Sequence, residues 1–155
     1  MAGLNVGDIA PDFELPETME ETWKLSDHIG KKNILILFFP LAYSSTCHDE
    51  LCSFRDGFHE FQGLEADIVA ISVDSPFVLN QWKKELNLPF TLLSDFNKNV
   101  CKMYGAMHKS LGPLEGVAKR SAFVIDKEGK IKYIWISEDP GKLPDITEIK
   151  RAIES

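Results

Sequence analysis

Cysteines stand at positions 47, 52 and 101 of the 155-residue chain, and the first occupies a place where a thiol is readily made nucleophilic. The segment Phe39-Pro40-Leu41-Ala42-Tyr43-Ser44-Ser45-Thr46-Cys47-His48-Asp49-Glu50 links an apolar run to a helical pattern. Thr46, followed three residues later by Asp49, resembles a capping box, so a helix is expected to begin near Thr46. Cys47 then falls in its first turn. There the unpaired backbone N–H groups and the positive end of the helix dipole favour a thiolate over a thiol. Positions 47, 51, 54 and 58 share one helix face, so the sulfur should point inward, towards a pocket and away from bulk water. Cysteine is also commonly buried as a small hydrophobe, for packing alone. Location by itself leaves both readings open.

Other side chains offer less. Arg55 is a rival cation, but a solvated helix arginine is the simpler reading. Glu50, three residues after Cys47, lies on a neighbouring face and reads first as helix solvation. His48, Asp49 and His59 are metal-ligating types without the dense, zinc-like spacing a site needs, and no metal is expected. His28 and His108 read as surface or loop residues, and Trp82 and Trp135 as core or interface aromatics. There is no glycine-rich phosphate loop of either common type, so no organic cofactor is implied.

These groups need a scaffold to position them. Asp12–Leu15 and Thr22–Leu25 read as short strands around a turn containing Pro16, an N-terminal β-hairpin. Asn33–Phe39 is a continuous apolar run, which suits a strand buried on both faces and stopped by Pro40. Leu51, Phe54, Phe58 and Phe61 recur at spacings of four, three and four, the mark of one long amphipathic helix. Asp67–Val73 is a second buried strand, making a strand–helix–strand unit with a parallel crossover. A helix with proline in its first turn is expected over Pro76–Leu86. A short strand at Leu92–Leu93 and a short helix over Asn97–Tyr104 follow. Ser121–Ile125 and Lys130–Ile136 flank Asp126-Lys-Glu-Gly129, a hairpin signal, and Pro144–Ile153 reads as a last amphipathic helix. The order implies an α/β fold with a mixed central sheet flanked by helices. A thioredoxin-like topology satisfies it, as do other small α/β folds.

Composition narrows the class. The chain suits one domain, residues 1–155, with no repeat or low-complexity tract. It is 44% hydrophobic and 26% charged, ordinary for a soluble globular protein. With 17 Lys+Arg against 24 Asp+Glu, the net charge of −7 disfavours non-specific binding to nucleic acid or to acidic membranes. Three cysteines are too few, and odd in number, for a secreted disulfide scaffold. The N-terminal residues show no basic segment followed by an apolar run, and Ile34–Phe39 is too short to span a bilayer. A cytoplasmic enzyme or binding protein is expected.

Four separated segments carry a resemblance that decides the reading of Cys47. Pro40-x-x-x-Ser44-x-x-Cys47 resembles the peroxiredoxin active-site pattern. Glu50-Leu51-Cys52 and the run Ile34–Phe39 on either side are similar to that family as well. Arg120-Ser121-Ala122-Phe123-Val124-Ile125-Asp126 resembles the strand carrying its active-site arginine, and Gly7-Asp8-Ile9-Ala10-Pro11-Asp12-Phe13 its N-terminal segment. Within the family, the likeness is to the alkyl hydroperoxide reductase E and bacterioferritin-comigratory-protein groups. The resemblance implies a thioredoxin-like fold and reduction of hydrogen peroxide and organic hydroperoxides. On that reading Cys47 attacks the peroxide and becomes a sulfenic acid. Arg120 holds the thiolate and the peroxide oxygens. Ser44 replaces the commoner threonine as a hydrogen-bonding hydroxyl, Pro40 shields the pocket, and Glu50 would orient Arg120. A homodimer or higher homo-oligomer is implied, and a thioredoxin- or glutaredoxin-like reductant.

The step after oxidation has three routes. The Cys47/Cys52 spacing resembles that of peroxiredoxins resolved within one chain, and Cys52 is the expected resolving residue. In an intact helix, five residues mean about 140° of rotation and ~7.5 Å of rise, leaving the Cα atoms roughly 8–9 Å apart. That exceeds disulfide reach, so the first turns would have to unwind. Cys101 reads as a buried packing thiol, and direct attack by an external thiol is the third route. A thioredoxin-like disulfide reductase would need Cys-x-x-Cys at the helix start, where this chain has four residues between Cys47 and Cys52.

Overall fold

The computed structural model describes residues 3–155; Met1 and Ala2, the head of the segment read for a leader, lie outside the described residues. The strand β3 (Asn33–Phe38) is its centre. It pairs in parallel with β4 (Ala66–Ser72) and antiparallel with β6 (Ser121–Ile125). β5 (Thr91–Ser94) adds in parallel outside β4, and β7 (Ile131–Ile136) adds antiparallel outside β6. The sheet order is β5-β4-β3-β6-β7, and the short strands β1 (Glu14–Pro16) and β2 (Thr22–Lys24) form a separate hairpin. This is the expected α/β arrangement, a mixed sheet flanked by helices with an N-terminal hairpin.

The unbroken apolar run of β3 follows from its two covered faces. Ile34, Ile36 and Phe38 enter one core with Phe13, Trp23 and Tyr104, beside the hairpin. Leu35, Leu37 and Phe39 enter the other, against helices. Strand side chains alternate between faces, so only apolar residues at every position serve such a strand. The helix face is built by α1 (Ser45–Asp56), α2 (Phe58–Gly63), α3 (Pro76–Leu86) and α5 (Ile146–Glu154). They contribute Cys47, Leu51, Phe54, Phe61, Leu79, Trp82, Ile149 and Ile153 to that core. The short α4 (Asn99–Met103) packs Val100 and Cys101 on the opposite side.

Local chemistry ends these elements. Ser75 accepts a hydrogen bond from the Val78 amide at the start of α3, where Pro76 occupies the first turn, and Asn87 closes it in the left-handed region. Asp145 caps α5 through the amides of Thr147 and Glu148. In the β6–β7 turn, Asp126 accepts from the amides of Glu128 and Lys130, and Gly129 takes φ +84°, open to glycine at little cost.

Three expectations shift. The single helix expected through Phe61 is two, α1 and α2, divided at Gly57. The amphipathic stripe crosses that break without interruption, which is why periodicity did not reveal it. The hairpin strands are displaced and shortened to Glu14–Pro16 and Thr22–Lys24. His108, read as a surface or loop residue, is buried, because its backbone pairs with Val117 and Gly116 and folds the loop over it.

Candidate active site

The chain leaves β3, turns at the buried Pro40 and enters α1 through residues 41–44. Tyr43 in this turn has φ +68°, a left-handed conformation uncommon for a non-glycine residue. Such backbone persists only where surrounding contacts hold it. Asp74, just beyond β4, supplies them. One of its carboxylate oxygens accepts from the Ala42 amide at 2.6 Å and from the Ser72 hydroxyl at 2.7 Å. Nothing in the sequence pattern marked Asp74. Its signal was only its position, two residues past the strand beside β3.

Helix α1 begins at Ser45, one residue before the expected start, and the Thr46/Asp49 capping box does not form. Ser44 is the N-cap by backbone, yet its hydroxyl donates to the Leu41 carbonyl at 3.0 Å and does not cap the helix amides. Those first-turn N–H groups have no partner within the helix, so they remain available to negative charge near Cys47.

Cys47 is fully buried on the inner face of α1. Arg120, placed at the head of β6 by antiparallel pairing with β3, reaches it across the sheet end. Its Nη2 donates to the Cys47 sulfur at 3.1 Å, its Nη1 to Glu50 Oε1 at 2.6 Å, and its Nε to the Pro140 carbonyl at 2.9 Å. Every nitrogen of the guanidinium is thus engaged, and the fork has one orientation. The Pro140 carbonyl was not anticipated, because it comes from the connection between β7 and α5.

Glu50 departs from its first reading as a solvated helix residue and meets Arg120, the partner that the resemblance implied for it. It is 1% exposed and paired with Arg120, not solvated. The three-residue spacing from Cys47 carries its carboxylate far enough round the helix to meet a guanidinium arriving from β6. Burial pushes the Glu50 carboxyl up to about 7, against the pull of Arg120. Burial also works against the Arg120 cation, but Glu50 and the Cys47 sulfur outweigh it and its pKa is raised. The arginine is therefore charged throughout the accessible pH range.

A cavity of about 330 Å³ opens beside this cluster, lined by Pro40, Leu41, Ser44, Leu111, Arg120 and Pro140 among others. Pro40, Ser44 and Arg120 are thus brought to one pocket, with Cys47 held behind it by its bond to Arg120. Cys52 is not brought there. It sits half-buried on another face of α1, and all three cysteines are free thiols. Cys101 is buried on the far side of the sheet, and burial together with Asp95 pushes its thiol up to about 12. Arg55 is engaged by Asp56 and by the Leu86 carbonyl, away from the cavity. Trp82 is a core residue and Trp135 is half-buried.

A thiol fixed by a permanent cation just behind a small cavity suits a nucleophile that attacks a small polarised bond. Comparison with known proteins agrees. Residues 6–134 match the AhpC/TSA family. Alkyl hydroperoxide reductase E of Mycobacterium tuberculosis is 36% identical over 144 residues, covering 92% of this chain and 91% of that protein. Peroxiredoxin Bcp of Escherichia coli is 34% identical over 137 residues, covering 87% of each. The crystal structure of peroxidoxin BcpB from Mycobacterium tuberculosis superposes with a TM-score of 0.80 at 30% identity, over 96% of this chain and 93% of that one. The fold is thioredoxin-like, and the chain belongs to the AhpC/TSA family, the peroxiredoxins, whose members are thiol-dependent peroxidases.

Proposed function

We propose that Cys47 is the peroxidatic thiol and that Arg120, Ser44 and Pro40 complete its site. The observation that carries this is the 3.1 Å bond from Arg120, which lines the cavity, to the buried Cys47 sulfur behind it. The Cys47 thiolate attacks the terminal oxygen of hydrogen peroxide or an organic hydroperoxide. The S–O bond forms as the O–O bond breaks, and the released hydroxide or alkoxide takes a proton to leave as water or alcohol. Arg120 and the first-turn amides of α1 face the charge that develops on the departing oxygen. Ser44 offers a hydroxyl at the cavity wall, and Pro40 excludes water from one side.

Cys52 resolves the Cys47 sulfenic acid to a disulfide in this reading, and a thioredoxin- or glutaredoxin-like thiol reduces it. Both cysteines lie within α1, so the helix must open for the bond to form. The chain acts as one domain, as a homodimer or larger homo-oligomer, in the cytoplasm. Stopped-flow measurement of peroxide consumption with an added reductant tests the reading. Cys47→Ser should abolish turnover with the fold intact, whereas native-rate consumption by that variant would refute it.

A further inference from the structure

His48 follows Cys47 in the chain but faces Cys52. The two are four residues apart on α1, the spacing at which helix side chains meet. The Cys52 sulfur lies 3.8 Å from His48 Nε2 and 4.0 Å from Nδ1, within reach of a sulfur hydrogen bond. His48 Nδ1, the ring nitrogen further from the sulfur, also lies 3.5 Å from Asp49 Oδ1, at the exposed surface of the helix. The arrangement is a thiol, a base beside it and a carboxylate beside the base, the pattern by which weak nucleophiles are activated. The two nearby arginines are engaged elsewhere: Arg55 with Asp56 and the Leu86 carbonyl, and Arg120 with Cys47, Glu50 and the Pro140 carbonyl.

We infer that His48 is a catalytic base for the second half of the cycle, accepting the Cys52 thiol proton and returning it to the leaving oxygen. The inference rests on Cys52 being the resolving thiol. Imidazole is suited to the task because it takes up and gives back a proton near neutral pH. With α1 intact, His48 Nε2 removes the Cys52 proton and Asp49 faces the resulting imidazolium. When the first turns of α1 open, the Cys52 thiolate attacks the Cys47 sulfenic sulfur. The Cys52 thiolate's electron pair becomes the S–S bond and the S–O pair leaves with hydroxide, so the thiolate sulfur is oxidised and the sulfenic sulfur reduced to the shared disulfide level. The departing hydroxide takes the proton from His48 and leaves as water. His48 has no part in the first half of the cycle, where Arg120 attends Cys47. An unassisted thiol is only a few per cent ionised at neutral pH, so complete ionisation gains about thirtyfold at most.

The test is a rapid-quench time course on the full chain after one equivalent of hydrogen peroxide. Mass spectrometry follows the Cys47 sulfenic acid and the Cys47–Cys52 disulfide separately. In His48→Gln, conversion of sulfenic acid to disulfide should slow roughly tenfold at pH 7, with the sulfenic acid accumulating. In His48→Ala, added free imidazole should restore part of the rate, a rescue that a merely structural histidine would not show. Disulfide formation at the native rate in both variants, or a slow rate that imidazole leaves unmoved, overturns the role of His48 alone. A native protein that forms no Cys47–Cys52 disulfide overturns the resolving role of Cys52, and this inference with it.

Discussion

Arg120 makes three directed bonds from one planar group, and a lysine could not reproduce them from a single nitrogen. Arg120→Met should slow Cys47 oxidation by a factor on the order of 10² to 10³, the usual cost of a lost electrostatic donor. Arg120→Lys should recover little of that, and stopped-flow oxidation of the two variants checks both. Oxidation at the native rate in Arg120→Met would remove the cation from the site. Glu50 makes a separate, pH-linked prediction. Its carboxyl is raised from 4.5 to about 7 in the native state, chiefly by burial. Between those values the folded protein holds a proton that the unfolded chain has released, so this residue's contribution to stability falls as pH rises. Denaturant titrations should show the native protein losing stability relative to Glu50→Gln from about pH 4.5 to about pH 7. A difference that is flat, or that runs the other way, contradicts the raised carboxyl.

The helix α1 has two demands on it. It must hold Cys47 against Arg120, and in the proposed cycle it must open so that Cys52 can approach. Gly57 at its end serves the second. Its φ of −98° is open to any residue, and an added Cβ would meet only the Ser53 carbonyl at 3.7 Å, ordinary contact. Gly57→Ala should therefore stabilise the protein by about 0.4–1 kcal/mol, through the smaller freedom of the unfolded chain. The same change should slow Cys47–Cys52 disulfide formation while leaving Cys47 oxidation fast, a split that rapid-quench mass spectrometry reads directly. The turn before α1 depends instead on Asp74. Asp74→Ala leaves the Ala42 amide without its acceptor, at a cost of about 1–3 kcal/mol, and frees the strained Tyr43 turn. Thermal unfolding and the oxidation rate should both fall in that variant, and an unchanged pair would show that the turn holds without it.

At the scale of the molecule, the site lies at one end of the central sheet, where β3, β6 and α1 converge. Two cores, one on each face, hold those three elements in register. No helix among the described residues is long and apolar enough to cross a membrane. The proposed homodimer predicts light scattering at twice the monomer mass at micromolar concentration. A monomer alone under those conditions would count against association.

The local features of this protein were legible in the chain. An apolar run without polar interruption requires a strand covered on both faces, and β3 is such a strand. The hairpin at Asp126–Gly129 and the helix from Pro76 follow from turn and capping chemistry that acts over a few residues. Cys47 stood out by residue type and position, and Pro40, Ser44 and Arg120 by resemblance to a known pattern. Tertiary structure alone decided the partners of these groups. Glu50 reads as a solvated residue on any isolated helix, and becomes a buried carboxylate only because β6 delivers Arg120 from seventy positions away. Asp74 and the Pro140 carbonyl join the site from other connections, through contacts that no periodicity records. The break at Gly57 was hidden for the opposite reason, since both halves of the helix bury the same apolar stripe. Periodicity registers which face is buried, and says nothing of what waits on the other side.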